Sequence, residues 1–264
     1  MTATSYKEFK GRVNTLPCNK TILVISPHPD DDVISMGATL QKLVKQGNDV
    51  HVVYVVTGHN AVRDGKTQQD KTAIREKEAT AAATHQDIKS ENLHFFRADY
   101  YMRRGMPGVD PLSDQDLSRM TSLITALKPE VIYFAAEEDP NGAHGLSSTL
   151  VARALAKLTY DKVQILGYRG AWSEWDLTDP HDLEVVTFTP QEMNRKIESI
   201  KKHVSQLNPV YPGADPREFY ERAADRNKCA GEQFAQIMNL NTSTDVYVEA
   251  FKHCSYSDFI ERYC

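Results

Sequence analysis

Short apolar runs recur along the chain, each followed by a longer stretch with helical spacing. Residues 22–26 are apolar up to the final serine and read as a strand buried on both faces. Residues 32–46 then repeat apolar positions at helical intervals and stop before Gly47, a helix with a glycine terminator. The unit repeats. Residues 50–56 predict a second strand, and 72–83, rich in Ala, Glu and Lys, a second helix. Residues 93–96 predict a third strand, 98–112 a loop, and 113–126 a helix capped by Ser113, with Asp116 near the capping-box position. A fourth strand covers 131–135, a polar loop 136–147, a helix 148–158 and a fifth strand 163–167. Residues 183–188 predict a sixth strand. Thr189-Pro190-Gln191-Glu192 opens a helix with a hydroxyl cap and an early proline, reaching about Leu207. A Pro/Gly-rich connector spans 209–216, a long helix 217–238, and 246–251 is a candidate last strand. Residues 1–19 read as a lead-in with room for a short helix.

Strands alternating with helices predict parallel βαβ units with right-handed crossovers. The fold class is therefore α/β, a mostly parallel sheet with helices on both faces. It forms one domain over 1–264, with a helical C-terminal extension from about 208. In the doubly wound order 3-2-1-4-5, strands one and four are neighbours, and their C-terminal ends bound the crevice where ligands bind. Strand one delivers His28, Asp30 and Asp31 there; strand four delivers the segment from Glu137 to His144.

Composition narrows the partners. A net charge of −5 over 264 residues argues against a nucleic-acid binder. The pairs Arg103-Arg104 and Lys201-Lys202 read as solvated faces. The four cysteines form no C-x-x-C pair, which argues against a thiolate zinc cluster and for a reducing compartment. The polar N-terminal stretch lacks the apolar core of a secretory signal, and no run approaches the ~18 apolar residues of a membrane span. The expected location is cytoplasmic.

The chemistry concentrates where strand one ends, at Pro27-His28-Pro29-Asp30-Asp31-Asp32. The start of a helix favours negative charge, and one carboxylate suffices as a cap. Asp32 is expected to be that cap. The remaining imidazole and carboxylates exceed what a turn requires. If His28, Asp31 and His144 converge, they form an N/O site for zinc or another divalent ion with a position left for water. Asp30 is then placed to take a proton from that water. The reaction class is metal-assisted hydrolysis of an amide or ester.

This hexapeptide, following an apolar strand, resembles the signature of the LmbE-like/PIG-L family of zinc-dependent N-deacetylases. Asp139-Pro140-Asn141-Gly142-Ala143-His144 is similar to the Asp-Pro-His-Gly-Thr-His segment of a branch fused to some bacterial proteins named glucosamine-6-phosphate deaminases. Segments 168–172, 203–206, 212–213 and 217–219 also resemble that branch. The resemblance implies a Rossmann-like fold and a small amino-sugar substrate, an N-acetylglucosamine derivative. It implies zinc on His28, Asp31 and His144, and Asp30 as general base. Asp139 stands where the wider family's second motif, His-Pro-Asp-His, has its first histidine, and two extra residues precede His144. The catalytic acid is thus open among His203, Arg169 and His59, or the metal aided by a backbone N–H. Thr57, His59 and Asn60, ending strand two, are candidate sugar contacts. Arg169 suits a hydroxyl, a phosphate or an ion pair, and Trp172 and Trp175 either stack on a sugar or pack. Two rivals are a non-catalytic sugar-binding module of the same fold and a glucosamine-6-phosphate deaminase-associated protein.

Overall fold

In the computed structural model the strand that carries the motif lies in the interior of an eight-stranded sheet. The structure describes residues 11–103, 105–136, 139, 142–169, 173–178, 182–208, 215–240 and 246–264. β1 is Arg12–Val13, β2 Thr21–Ser26, β3 Asp49–Tyr54, β4 Leu93–Phe95, β5 Val131–Ala135, β6 Gln164–Tyr168, β7 Leu183–Phe188 and β8 Tyr247–Cys254. The sheet order is β1-β7-β8-β6-β5-β2-β3-β4. The five strands β4-β3-β2-β5-β6 are parallel in the expected doubly wound order. The switch point therefore falls between β2 and β5, whose registers match at Ile22–Val131 and Val24–Tyr133.

The helices are α1 Asp31–Lys45, α2 Gln68–His85, α3 Tyr100–Arg103, α4 Asp114–Leu127, α5 Ala143–Leu158, α6 Pro190–Ile200, α7 Phe219–Ile237 and α8 Tyr256–Tyr263. Alternate residues of β2 feed opposite layers, as a strand's period of two requires. Ile22 and Val24 join the core under α1 and α2, with Ile200 of α6 and Ala223 of α7. Leu23 and Ile25 join the core with Met120 of α4, Leu150 of α5 and Phe259 of α8.

Several expectations give way. In the described part of the lead-in, Arg12–Val13 forms an edge strand, β1, pairing in parallel with β7; residues 1–10 lie outside the described residues. The last strand enters the sheet between β6 and β7, antiparallel to both. The final third is thus a strand of the sheet as well as helices laid on it. The loop over 98–112 contains the short α3. α6 stops at Ile200, well before Leu207, because the Ser205 N–H and hydroxyl turn away to the Glu78 carboxylate (2.6 and 2.7 Å).

α1 is not straight. Met36 sits at φ −136, ψ 26, and the helix breaks there. The Glu249 carboxylate of β8 accepts from the Ala38 and Thr39 N–H groups (3.1 and 2.7 Å) and so caps the second half. The Ile34 carbonyl, released by the break, accepts from Arg226 of α7 (2.8 Å). Lys196 of α6 lies 2.6 Å from Glu249, and both side chains are fully buried. A Cβ on Gly37 would stand 2.9 Å from the Lys196 stem, so only glycine admits this crossing.

Candidate metal and active site

β2 ends at Ser26, and the chain folds back on itself over 27–30, with the Asp30 N–H donating to the His28 carbonyl (2.9 Å). This turn aims the carboxylates of Asp30 and Asp31 into the crevice at the start of α1, where free helical N–H groups favour anions. Asp31 Oδ2 accepts from the His28 backbone N–H at 2.8 Å and lies 3.0 Å from His28 Nδ1. The same oxygen lies 3.3 Å from His144 Nε2. One donor atom from each of His28, Asp31 and His144 falls within 4.8 Å of the other two. Burial alone would raise the Asp31 pKa, but the imidazoles of His144 and His28 outweigh it and hold the carboxyl well below the usual carboxylate range. Two imidazole nitrogens and one carboxylate oxygen around a common point make a donor set suited to zinc or another divalent ion.

His144 arrives differently from the sequence expectation. The region read as loop up to 147 becomes helix from Ala143, so His144 sits in the first turn of α5. Gly142 holds φ +75, and a Cβ there would meet the Tyr100 hydroxyl at 2.6 Å. Asp139 accepts the His144 N–H at 2.8 Å. The acidic residue in place of the family histidine therefore helps start the helix that presents His144.

Asp30 is buried beside this group. Arg75 of α2 donates to its Oδ2 at 2.9 Å and lies 3.6 Å from Glu78. The Arg75 side chain is 1% exposed. Sequence reading passed over it, although Arg75 and Glu78 share one face of a helix and Arg75 stands close to the turn after β3. Gly58, at φ +63 in that turn, leaves its open side to the Arg75 guanidinium (3.1 Å from a Cβ placed there).

A family profile described as PIG-L, GlcNAc-PI de-N-acetylase, matches residues 23–155, half of the chain, including the whole His/Asp/His group. The chain belongs to the PIG-L family. A relative in Bacteroides thetaiotaomicron, a glucosamine-6-phosphate deaminase-like protein, is 31% identical over 84% of this chain. The match spans 41% of that relative's length. Among solved structures, N,N'-diacetylchitobiose deacetylase from Pyrococcus horikoshii superposes with a TM-score of 0.61 at 20% identity, over 90% of this chain and 85% of that one. The hydratase GalB from Pseudomonas putida KT2440 superposes with a TM-score of 0.63 at 18% identity, over 89% and 95%. These two likenesses show the fold, and the fold carries more than one chemistry.

In this PIG-L chain Asp32 is not the helix cap. It lies inside α1, 1% exposed, and accepts from the Tyr54 hydroxyl (3.0 Å) while its N–H donates to Ser26 Oγ (3.1 Å). Burial pushes its pKa up to about 7, with Asp30 and Asp31 adding to the rise against the Tyr54 hydrogen bond. The third carboxylate ties the motif to β2 and β3.

Thr57 and His59 are hydrogen-bonded to each other (2.6 Å). With Gln68, Thr72, Arg97 and Asp99 they line an open cleft of about 480 Å3. Asn60 sits in the adjoining 3-10 turn, His59–Ala61. Arg169, at the end of β6, lays its guanidinium over the Trp175 ring at 5.3 Å, and Trp175 donates to the Gly167 carbonyl (3.0 Å). Trp175 therefore packs against its own strand end. Glu137, Pro140, Asn141, segments 170–172 and 212–213, Arg104 and His181 lie outside the described residues.

His203 is placed by the early end of α6 in a turn rather than mid-helix. It is 2% exposed. Burial first, and then the Arg75 charge, push its pKa down to about 3, against the pull of Asp30 and Asp31. His203 and Asp30 both line one small cavity.

Proposed function

We propose that this chain is a metal-dependent hydrolase, with zinc as the expected ion, that removes the acetyl group from an N-acetylglucosamine derivative. The observation that carries the reading is the convergence of His28, Asp31 and His144 within 4.8 Å, beside the buried carboxylate of Asp30. His28, Asp31 and His144 would hold a divalent cation, which would supply Lewis acidity toward the attacking water and the substrate carbonyl. Asp30 takes the proton of the attacking water as the C–O bond forms at the amide carbon. Arg75 keeps Asp30 aimed through the hydrogen bond to its Oδ2. As the C–N bond breaks, Asp30 returns that proton to the amine nitrogen, so acetate and a free amino sugar leave. Asp139 is engaged with the His144 N–H, and in this reading the acid role of the family histidine falls to Asp30. One carboxylate thus acts first as base and then as acid. The cleft beside Thr57 and His59 is the natural seat for sugar hydroxyls.

A cytoplasmic location belongs to the same reading and is supported by four free cysteines. Among the described residues no helix is long and apolar enough to cross a membrane.

The name of the Bacteroides relative raises a second chemistry, deamination of glucosamine-6-phosphate. The two readings release different products. Incubation with N-acetylated sugars, with and without a 6-phosphate, should release acetate and leave the amine on the sugar. Release of ammonia from glucosamine-6-phosphate, unaffected by a chelator, would favour the deaminase. Replacing Asp30 with Asn should leave bound metal unchanged and lower kcat by 10²–10⁴-fold; full activity would remove Asp30 from the mechanism.

A further inference from the structure

His203 is polar, 2% exposed, and neither ring nitrogen has a hydrogen-bond partner among the described residues. A buried polar group without a partner lowers stability, and such groups cluster where function requires them. His203 lines a cavity that Asp30 also lines. Its other walls include Ile34, Leu207 and Phe219, with Gln206 and Glu218 as polar edges. It leaves about 10 Å3 for the centre of a water molecule, which is room for about one.

We infer that His203 is a positioning residue for Asp30, holding its carboxylate through one bridging water. The inference rests on the deacetylase reading for the role of Asp30. Arg75 grips Asp30 by a single oxygen, Oδ2. One attachment leaves the carboxylate free to rotate about its Cβ–Cγ bond; a second fixes its plane toward the reacting water. The turn that carries His203 is built onto the same support. Ser205 is bound to Glu78 through both its N–H and its hydroxyl. Glu78 neighbours Arg75, and Arg75 bonds Asp30. The imidazole and the base are thus mounted on one chain of side chains. A neutral imidazole has one donor and one acceptor nitrogen. The bridge can therefore give a hydrogen bond to the carboxylate and take one back once Asp30 holds the proton.

His203→Phe keeps the ring's bulk and removes both nitrogens. His203→Gln and His203→Asn restore an amide N–H near one nitrogen position or the other. The positioning role predicts that His203→Phe lowers kcat at least tenfold, with KM within twofold, metal content unchanged and Tm equal to or above wild type. At least one amide variant should recover threefold or more of the lost kcat. Thermal unfolding of Asp30→Asn, His203→Phe and the double variant supplies an arm independent of turnover, and their Tm shifts should fail to add. Absence of acetate release by metal-loaded wild type from every sugar tested would sink the deacetylase reading instead, and non-additivity alone would then decide whether His203 and Asp30 are coupled. Wild-type kcat in His203→Phe, additive Tm shifts, or an equal loss of kcat in all three His203 variants with a lowered Tm, would overturn the inference.

Discussion

Arg75 is the residue that bears directly on Asp30, the proposed base. Its guanidinium is buried against Asp30 and Glu78, and removing one partner of a buried ion pair leaves the others charged and unpaired. Replacing it with Met should lower the unfolding free energy by about 3 kcal/mol in denaturant titrations. It should also cut kcat far more than the loss of folded protein accounts for; a small loss in both would mean that Arg75 neither supports nor aims Asp30. His203 contributes its own pH dependence. Its folded pKa is about 3 against an ordinary 6.5. Between those values the unfolded chain binds a proton that the folded chain does not. Stability from this group is therefore complete above about pH 6.5 and falls as pH drops toward 3, by about 1.4 kcal/mol per unit. Between pH 6.5 and 5, wild type should lose roughly 2 kcal/mol more than His203→Phe; parallel curves would show that the ring titrates normally. At this scale the motif itself was legible, because a histidine and three aspartates at a strand end exceed any capping need. Arg75 was not, since an Arg-x-x-Glu pair on a helix reads first as a solvated face. Asp32 was assigned to the cap because sequence does not show that Tyr54 of the neighbouring strand lies across from it.

At the scale of elements, the break in α1 connects the site to the end of the chain. The first turn of α1 presents Asp31, while its second half is capped by Glu249 of β8, and Lys196 of α6 balances that charge. Burial pushes the Lys196 pKa down, and Glu249 opposes the shift. Replacing Glu249 with Ala should cost about 3–5 kcal/mol, because it leaves a buried ammonium without its carboxylate, held by Asn227, and two helical N–H groups unpaired. Replacing Glu249 and Lys196 together with Leu and Met should cost less than Glu249→Ala, although the N–H groups remain unpaired. Equal losses, measured by urea unfolding, would show that the cap rather than the charge is what matters. Local signals predicted the capped helix starts well: Ser113 and Thr189 both cap as expected. Helix ends set by tertiary partners were missed. α5 begins early because Asp139 and Gly142 start it, and α6 ends early because Glu78 draws Ser205 away. A pairing of Asp49, His51 and His94 at the opposite end of β3 likewise joined histidines that no local spacing connects.

For the whole molecule, the parallel order of five strands follows from alternation of strands and helices, and that order alone puts the motif and His144 at one crevice. The insertion of β8 was not legible, because an antiparallel strand arriving from the far end of the chain leaves no spacing pattern. The fold does not fix the chemistry, since one superposing structure is a hydratase and another a deacetylase. The proposal of hydrolysis rests on the His/Asp/His group with the buried carboxylate of Asp30 beside it. The most direct test is acetate release from N-acetylglucosamine derivatives by protein stripped of metal and then restored with zinc. The account predicts no release from stripped protein and recovery at about one equivalent of zinc per chain. Release that persists without metal, or none from fully loaded protein, would contradict it.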